Sequence, residues 1–159
     1  MHFLQGALKN PASKSALWQE LSVPPGYTIL VVEDNGYIFV QIARILGSLG
    51  VYCEWKTSGY ELVEFANSLP RLDLILMDIH LPYEDEFCIL KKLRVSEQLK
   101  DVPIIAMTFE ADLDQMERAQ VFGLDGFLSN PPDPDTFPGK IYNFLRGDPV
   151  WEQNKPMQI

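Results

Sequence analysis

Five short apolar segments alternate with segments of helical periodicity between residues 27 and 146, and this alternation limits the possible folds more than any other feature. The first apolar run, residues 28–32, contains no polar alternation, so we expect helices to cover both faces of that strand. Strands that alternate with helices form right-handed βαβ units, and such units build a parallel sheet. The sequence therefore predicts an α/β fold with a doubly wound, five-stranded parallel sheet.

The boundaries of the predicted elements follow from apolar runs and helix-breaking residues. The predicted strands cover residues 28–32, 51–55, 72–77, 103–107 and 126–128. Ser58 is predicted to cap the second helix, which Pro70 ends. Pro138 must lie in the first turn of the last helix, because only there does its missing N–H leave no backbone carbonyl unpaired.

Two segments lie outside the repeating pattern. Residues 1–26 form an N-terminal extension, in which one short amphipathic helix could include Ala16, Leu17, Trp18 and Leu21. This extension could be loosely ordered or could dock on a partner. Residues 147–159 form a C-terminal tail with no readable motif, and no output domain is visible beside the domain of residues 27–146. The pattern therefore predicts a stand-alone domain.

Charge and cysteine content argue against several function classes. The net charge is -9, from 13 Lys and Arg against 22 Asp and Glu, so direct binding to nucleic acid or to an anionic membrane is not expected. No apolar run reaches the roughly 20 residues that span a bilayer, and the N-terminus lacks the pattern of a signal peptide. Cys53 and Cys88 are far apart, lie in hydrophobic-patterned segments and belong to no Cys-x-x-Cys or Cys/His cluster, so we expect two buried thiols in the cytoplasm.

Acidic residues follow two of the predicted strands, at the edge where open α/β sheets bind ligands. Glu33 and Asp34 follow the first strand, and Asp78 follows the third. Gathered carboxylates repel one another, and Mg²⁺ is the natural counter-ion for such an oxygen site. A carboxylate can also attack phosphorus and become an aspartyl phosphate, while Thr108, at the end of the fourth strand, could donate a hydrogen bond to the phosphoryl oxygen. The residues thus predict a phosphoryl site.

Four motifs in register make this chain resemble the receiver domain of two-component response regulators. They are VVEDN at 31–35, LMDIHLP at 76–82, PIIAMT at 103–108 and GLDGFL at 123–128. The resemblance covers roughly residues 27–146 and implies a flavodoxin-like, CheY-like (βα)5 fold. It also implies a signalling domain and no true enzyme, with at most Mg²⁺-dependent self-phosphorylation and autodephosphorylation.

The resemblance implies a role for each matching acidic residue. Asp78 would be the phosphoacceptor. Glu33 and Asp34 would bind Mg²⁺ together with Asp78 and the main-chain carbonyl of His80. The expected phosphodonor is a histidine kinase or a phosphotransfer protein.

The resemblance likewise implies a switch. Thr108 would be the switch hydroxyl, and Phe127 the aromatic residue that repacks when Thr108 moves. The family signals through the face made by the fourth helix, the fifth strand and the fifth helix, as a population shift between two packings. A downstream protein partner is therefore expected, and the same face allows a homodimer.

The chain departs from the family pattern at three positions. Asn130 stands where the family has a lysine, and an amide supplies a hydrogen bond but no charge. Phe109 replaces a small residue after Thr108, and Glu86 stands where glycine is common. These departures leave open an alternative: a pseudo-receiver that binds proteins independently of phosphorylation.

Other interpretations of single residues are simpler. Asp34 could be only a helix cap, Thr108 a hydroxyl bonded to backbone, and the His80 side chain a solvated loop residue. A phosphatase or flavin enzyme on a doubly wound fold is a third hypothesis. It is disfavoured because the turn after the first strand has no glycine-rich phosphate cradle.

Overall fold

Six strands and five helices alternate along the chain in a computed structural model that describes residues 26–81, 85–108 and 113–151. The strands are β1 (Thr28–Val32), β2 (Tyr52–Lys56), β3 (Leu74–Asp78), β4 (Ile104–Thr108), β5 (Gly126–Ser129) and β6 (Val150–Trp151). The helices are α1 (Gly36–Ser48), α2 (Leu62–Ser68), α3 (Glu86–Val95), α4 (Leu113–Val121) and α5 (Phe137–Leu145).

The strands form one parallel sheet in the order β2-β1-β3-β4-β5-β6. Every residue of β3 and β4 is buried, because an apolar cluster covers each face of the sheet. One cluster packs Leu90 and Phe127 on one face, and the other packs Ile42 and Ile141 on the opposite face. The doubly wound α/β architecture is therefore confirmed.

The number of strands differs from the prediction, because the sheet has a sixth strand where no motif was read. β6 lies in the predicted tail and pairs in parallel with β5, with Val150 opposite Gly126 and Trp151 opposite Phe127. A Cβ atom at Gly126 would lie 2.6 Å from the Val150 carbonyl oxygen, so glycine permits this close approach. Two residues are too few to show a strand period, which is why the sequence pattern missed β6.

Helix starts were predicted with mixed success. Asn35 caps α1, since its side-chain oxygen accepts hydrogen bonds from the backbone N–H groups of Tyr37 and Ile38 at 3.0 and 3.2 Å. The predicted cap at Ser58 is wrong. Its hydroxyl accepts from the Tyr60 N–H within a turn, and α2 begins only after Glu61, at φ 52°. Pro138 lies in the first turn of α5, as predicted.

The sequence predicted that the thiols of both cysteines are buried. Cys53 is half-buried, but Cys88 is exposed, so the prediction of two buried thiols is wrong for Cys88. Cys88 lies on the solvent side of α3, where periodicity places one apolar position outside the core.

Among the described residues, none of the helices has the length and apolar character needed to cross a bilayer.

Candidate functional site

The carboxyl ends of β1, β3, β4 and β5 meet at one edge of the sheet and bring the predicted residues together. Glu33 and Asp34 follow β1, and Asp78 is the last residue of β3. One carboxylate oxygen from each of these three residues lies within 4.8 Å of the other two. This donor set suits a hard divalent cation, which prefers carboxylate oxygens.

Glu33 is the most enclosed member of the group. Its side chain is fully buried, and Oε1 accepts a hydrogen bond from the Asn35 backbone N–H at 3.1 Å. Oε2 accepts from Asn130 Nδ2 at 3.3 Å. The Glu33 carbonyl oxygen accepts from the Trp55 indole N–H at 2.8 Å. Glu33 is thus fixed on both its main-chain and side-chain atoms.

Asp78 and Asp34 differ in exposure. Asp78 is only 3% exposed, and its Oδ1 accepts a hydrogen bond from the His80 backbone N–H at 2.8 Å, which restricts the rotation of the carboxylate. Asp34 is exposed, and it is not the helix cap, since Asn35 fills that position. The simpler interpretation of Asp34 is therefore wrong, and its carboxylate lies on the solvent side of the group.

Burial changes the proton affinity of the two enclosed carboxyls. Burial raises the pKa of Glu33 to about 8, and the nearby Asp78 charge adds to this increase. Burial likewise raises the pKa of Asp78. At neutral pH and without a cation, the group therefore carries less negative charge than three carboxylates would. A cation that binds here must displace a proton, so its affinity should rise with pH.

The raised pKa of Glu33 makes stability depend on pH in a defined direction. In a chelator, the free energy of unfolding should fall as pH rises from about 5 to about 8, because folded Glu33 keeps a proton that unfolded Glu33 loses. One proton corresponds to a slope of about 1.4 kcal/mol per pH unit. Urea denaturation at several pH values measures it. Glu33→Gln should flatten the slope. Glu64→Gln, an exposed control on α2, should keep it. An unchanged slope in Glu33→Gln would contradict the assignment of the raised pKa to Glu33.

A side-chain contact joins the ends of β3 and β4. His80 Nε2 lies 2.8 Å from Thr108 Oγ1, and Thr108 is fully buried. His80 is an exposed loop residue, as predicted, and its ring also contacts Thr108. Sequence reasoning missed this pair because the two residues are 28 positions apart and no local pattern gives the direction of a loop side chain.

Asn130 faces the acidic group from the end of β5. It is 4% exposed, and its backbone N–H donates to the Thr108 carbonyl oxygen at 3.0 Å. Its side-chain N–H donates to Glu33, but its Oδ1 is buried without a hydrogen-bond partner among the described residues. The peptide bond between Asn130 and Pro131 is cis. The amide therefore reaches the Glu33 carboxyl without bringing a positive charge to it.

Phe127 and Glu86 are the remaining predicted residues that the structure describes. Phe127 is fully buried in β5 and stacks on Trp151, with ring centroids 6.2 Å apart. Glu86 is half-buried at the start of α3 and lines a small cavity together with His80 and Phe127. Phe109 and the short helix predicted within residues 1–26 lie outside the described residues, apart from the last position of that segment.

Comparisons with known proteins point to one family. The family model described as the response regulator receiver domain matches residues 29–142. The polar-differentiation response regulator DivK of Brucella ovis is 30% identical over 118 residues, which are 74% of this chain and 95% of DivK. The chain spans 63% and 51% of the length of two other curated relatives that it matches.

Solved structures agree with this assignment. The chemotaxis protein CheY4 of Vibrio cholerae superposes with a TM-score of 0.68 at 26% identity, over 74% of this chain and 97% of CheY4. The receiver domain of the sensor histidine kinase PA1611 of Pseudomonas aeruginosa gives a TM-score of 0.65 at 31% identity, over 76% and 95%. The PA1611 domain was crystallised with a magnesium ion coordinated in its active-site cleft.

Proposed function

Since this chain belongs to the response regulator receiver family, we propose that its acidic site binds Mg²⁺ and accepts a phosphoryl group on Asp78. The single observation that carries the proposal is the approach of Glu33, Asp34 and Asp78 within 4.8 Å of one another. Burial raises the pKa of Glu33, and the charge of Asp78 adds to the increase, so three carboxyls enclosed this closely are disfavoured in their ionised form without a counter-charge. Metal binding would remove that cost.

Phosphoryl transfer requires a nucleophile, a leaving group and charge neutralisation. A carboxylate oxygen of Asp78 forms the bond to phosphorus as the bond to the donor atom breaks, and the donor keeps the electron pair. The His80 backbone N–H fixes the Asp78 carboxylate for this attack. Bound Mg²⁺ would neutralise charge on the phosphoryl oxygens, with Glu33, Asp34, Asp78 and the His80 carbonyl as its protein ligands.

The switch in this proposal begins at Thr108. Its hydroxyl is 2.8 Å from His80 Nε2, so a bound phosphoryl group and the imidazole would share the same hydroxyl. Movement of Thr108 then allows Phe127 to repack, and the change reaches the face made by α4, β5 and α5, which also includes β6 in this chain.

The physiological partners follow from the family. We assign the phosphodonor to a histidine kinase or a phosphotransfer protein in the cytoplasm, and the output to a protein that binds this face. A second copy of the chain could use the same face in a homodimer. The net charge of -9 supports a protein partner rather than direct nucleic-acid binding. Any turnover is limited to the gain and loss of the phosphoryl group on Asp78.

Incubation with a small phosphodonor tests the proposal directly. In Mg²⁺, the intact mass of the chain should increase by one phosphoryl group, and a chelator should abolish the increase, because uncompensated carboxylates repel the anionic donor. The increase should disappear after mild base, as expected of an acyl phosphate. No adduct under conditions that label an ordinary receiver would contradict the proposal and favour the pseudo-receiver that the loss of lysine at position 130 suggested.

A further inference from the structure

The added strand β6 places a tryptophan against the predicted switch residue. The Trp151 and Phe127 rings lie 6.2 Å apart at an interplanar angle of 23°. The main chain approaches β5 closely, since Gly126 leaves room for Val150, which is 8% exposed. Trp151 is half-buried and packs on the same apolar cluster as Phe127. β6 is thus bound to β5 through both backbone and ring contacts.

Phe127 also lines a small cavity that does not include Trp151 among its lining residues. The cavity has a volume of about 60 Å³ and lies between β5, α3 and α4, with His80, Phe87 and Arg118 among its walls. His80 in turn contacts Thr108. Phe127 therefore contacts the ring of Trp151 in β6. It also borders the unfilled cavity, whose wall includes His80, the residue that contacts Thr108. Packed protein interiors switch between discrete side-chain arrangements, and the cavity provides a second position for the buried ring of Phe127.

We propose that Trp151 is a positioning residue that restrains Phe127, so that docking of β6 and phosphorylation of Asp78 oppose each other. When the phosphoryl group draws Thr108 away from His80, Phe127 moves into the cavity and leaves Trp151 without its ring partner. The energetic coupling must be reciprocal: weakening β6 favours phosphorylation, and phosphorylation weakens β6. This inference rests on the proposed phosphorylation of Asp78.

Substitution of Trp151 in the full chain tests this coupling. Trp151→Ala should raise the yield of the phosphorylated form at limiting phosphodonor by about five-fold, within the usual range for coupled sites. Trp151→Phe, which keeps an aromatic ring on Phe127, should stay close to wild type. Tyr52→Ala, which removes a 68% exposed ring from the opposite edge strand β2, serves as the matched control and should have no effect.

A second variant reaches the same contact by another route. Gly126→Ala places a methyl group against the Val150 carbonyl, so it should displace β6 and raise the yield in the same direction without changing Trp151. A tryptophan with a purely structural role would behave in the opposite way, because loss of packing would destabilise the fold and lower the yield.

Hydrogen exchange of residues 147–151 provides the reciprocal readout. Exchange of this segment in wild type should become faster after phosphorylation, since released strands lose protection. This inference alone would be overturned by the following combination of results. Wild type forms the adduct, its hydrogen exchange is unchanged, and Trp151→Ala and Gly126→Ala both give yields at or below that of wild type. Absence of an adduct on wild type and on both variants would overturn the proposed function together with it.

Discussion

Asp78→Asn is expected to abolish the phosphoryl adduct completely while leaving the fold intact. The substitution keeps the shape of the side chain, so Oδ1 can still accept from the His80 backbone N–H. An amide oxygen, however, is not a nucleophile towards phosphorus, and the neutral side chain removes one ligand charge from the cation site. Intact mass after incubation with a small phosphodonor and Mg²⁺ measures the loss.

Stability should change little or increase in the same variant. Burial is the main cause of the raised pKa of Glu33, and the negative charge of Asp78 adds to it, so a neutral side chain at position 78 lowers the electrostatic cost of the buried group. Thermal denaturation in a chelator should show a midpoint at or above that of wild type. Asp114→Asn, an exposed carboxylate in the first turn of α4, is the matched control and should retain the adduct. A persistent adduct on Asp78→Asn would show that another residue accepts the phosphoryl group.

Asn130→Lys is expected to raise the yield of the phosphorylated form by about ten-fold, equivalent to about 1.4 kcal/mol. Asn130 lies 3.3 Å from Glu33, and its amide brings only a neutral donor to the site. An ammonium group there would form a charge-assisted hydrogen bond with the phosphoryl oxygen, which is roughly twice as strong as a neutral one. Quantitative intact mass at limiting phosphodonor measures the increase.

The same variant should also change the titration of the site. A cation beside Glu33 lowers its pKa, so the fall in unfolding free energy between about pH 5 and about pH 8 should become shallower. Asn67→Lys adds the same charge at an exposed position near the end of α2 and should change neither property. If Asn130→Lys leaves both the yield and the pH slope at wild-type values, position 130 is not equivalent to the lysine position of the family.

The sequence was most informative where a residue follows a buried strand. Glu33, Asp78 and Thr108 could be placed at one edge of the sheet because parallel strands end on the same side. The apolar runs that define β1, β3 and β4 are long enough to show burial on both faces. The architecture and the grouping of the acidic residues were therefore predictable.

The missed features depend on contacts that local patterns do not encode. The pairing of His80 with Thr108 depends on the direction of one loop side chain. Recognition of β6 required its partner strand, because Val150 and Trp151 alone cannot show a period. The cap at Ser58 failed because Glu61 adopts a left-handed conformation and delays the start of α2. Tertiary context decided each of these outcomes.

Localisation of the phosphoryl group tests the central proposal most directly. Borohydride reduces an aspartyl phosphate to homoserine, and tandem mass spectrometry of the digested chain identifies the reduced residue. The proposal predicts homoserine at position 78 alone, only in the sample that received both phosphodonor and Mg²⁺. Modification at a different residue, including phosphorylation of the neighbouring His80, or homoserine formation that persists in a chelator, would contradict it.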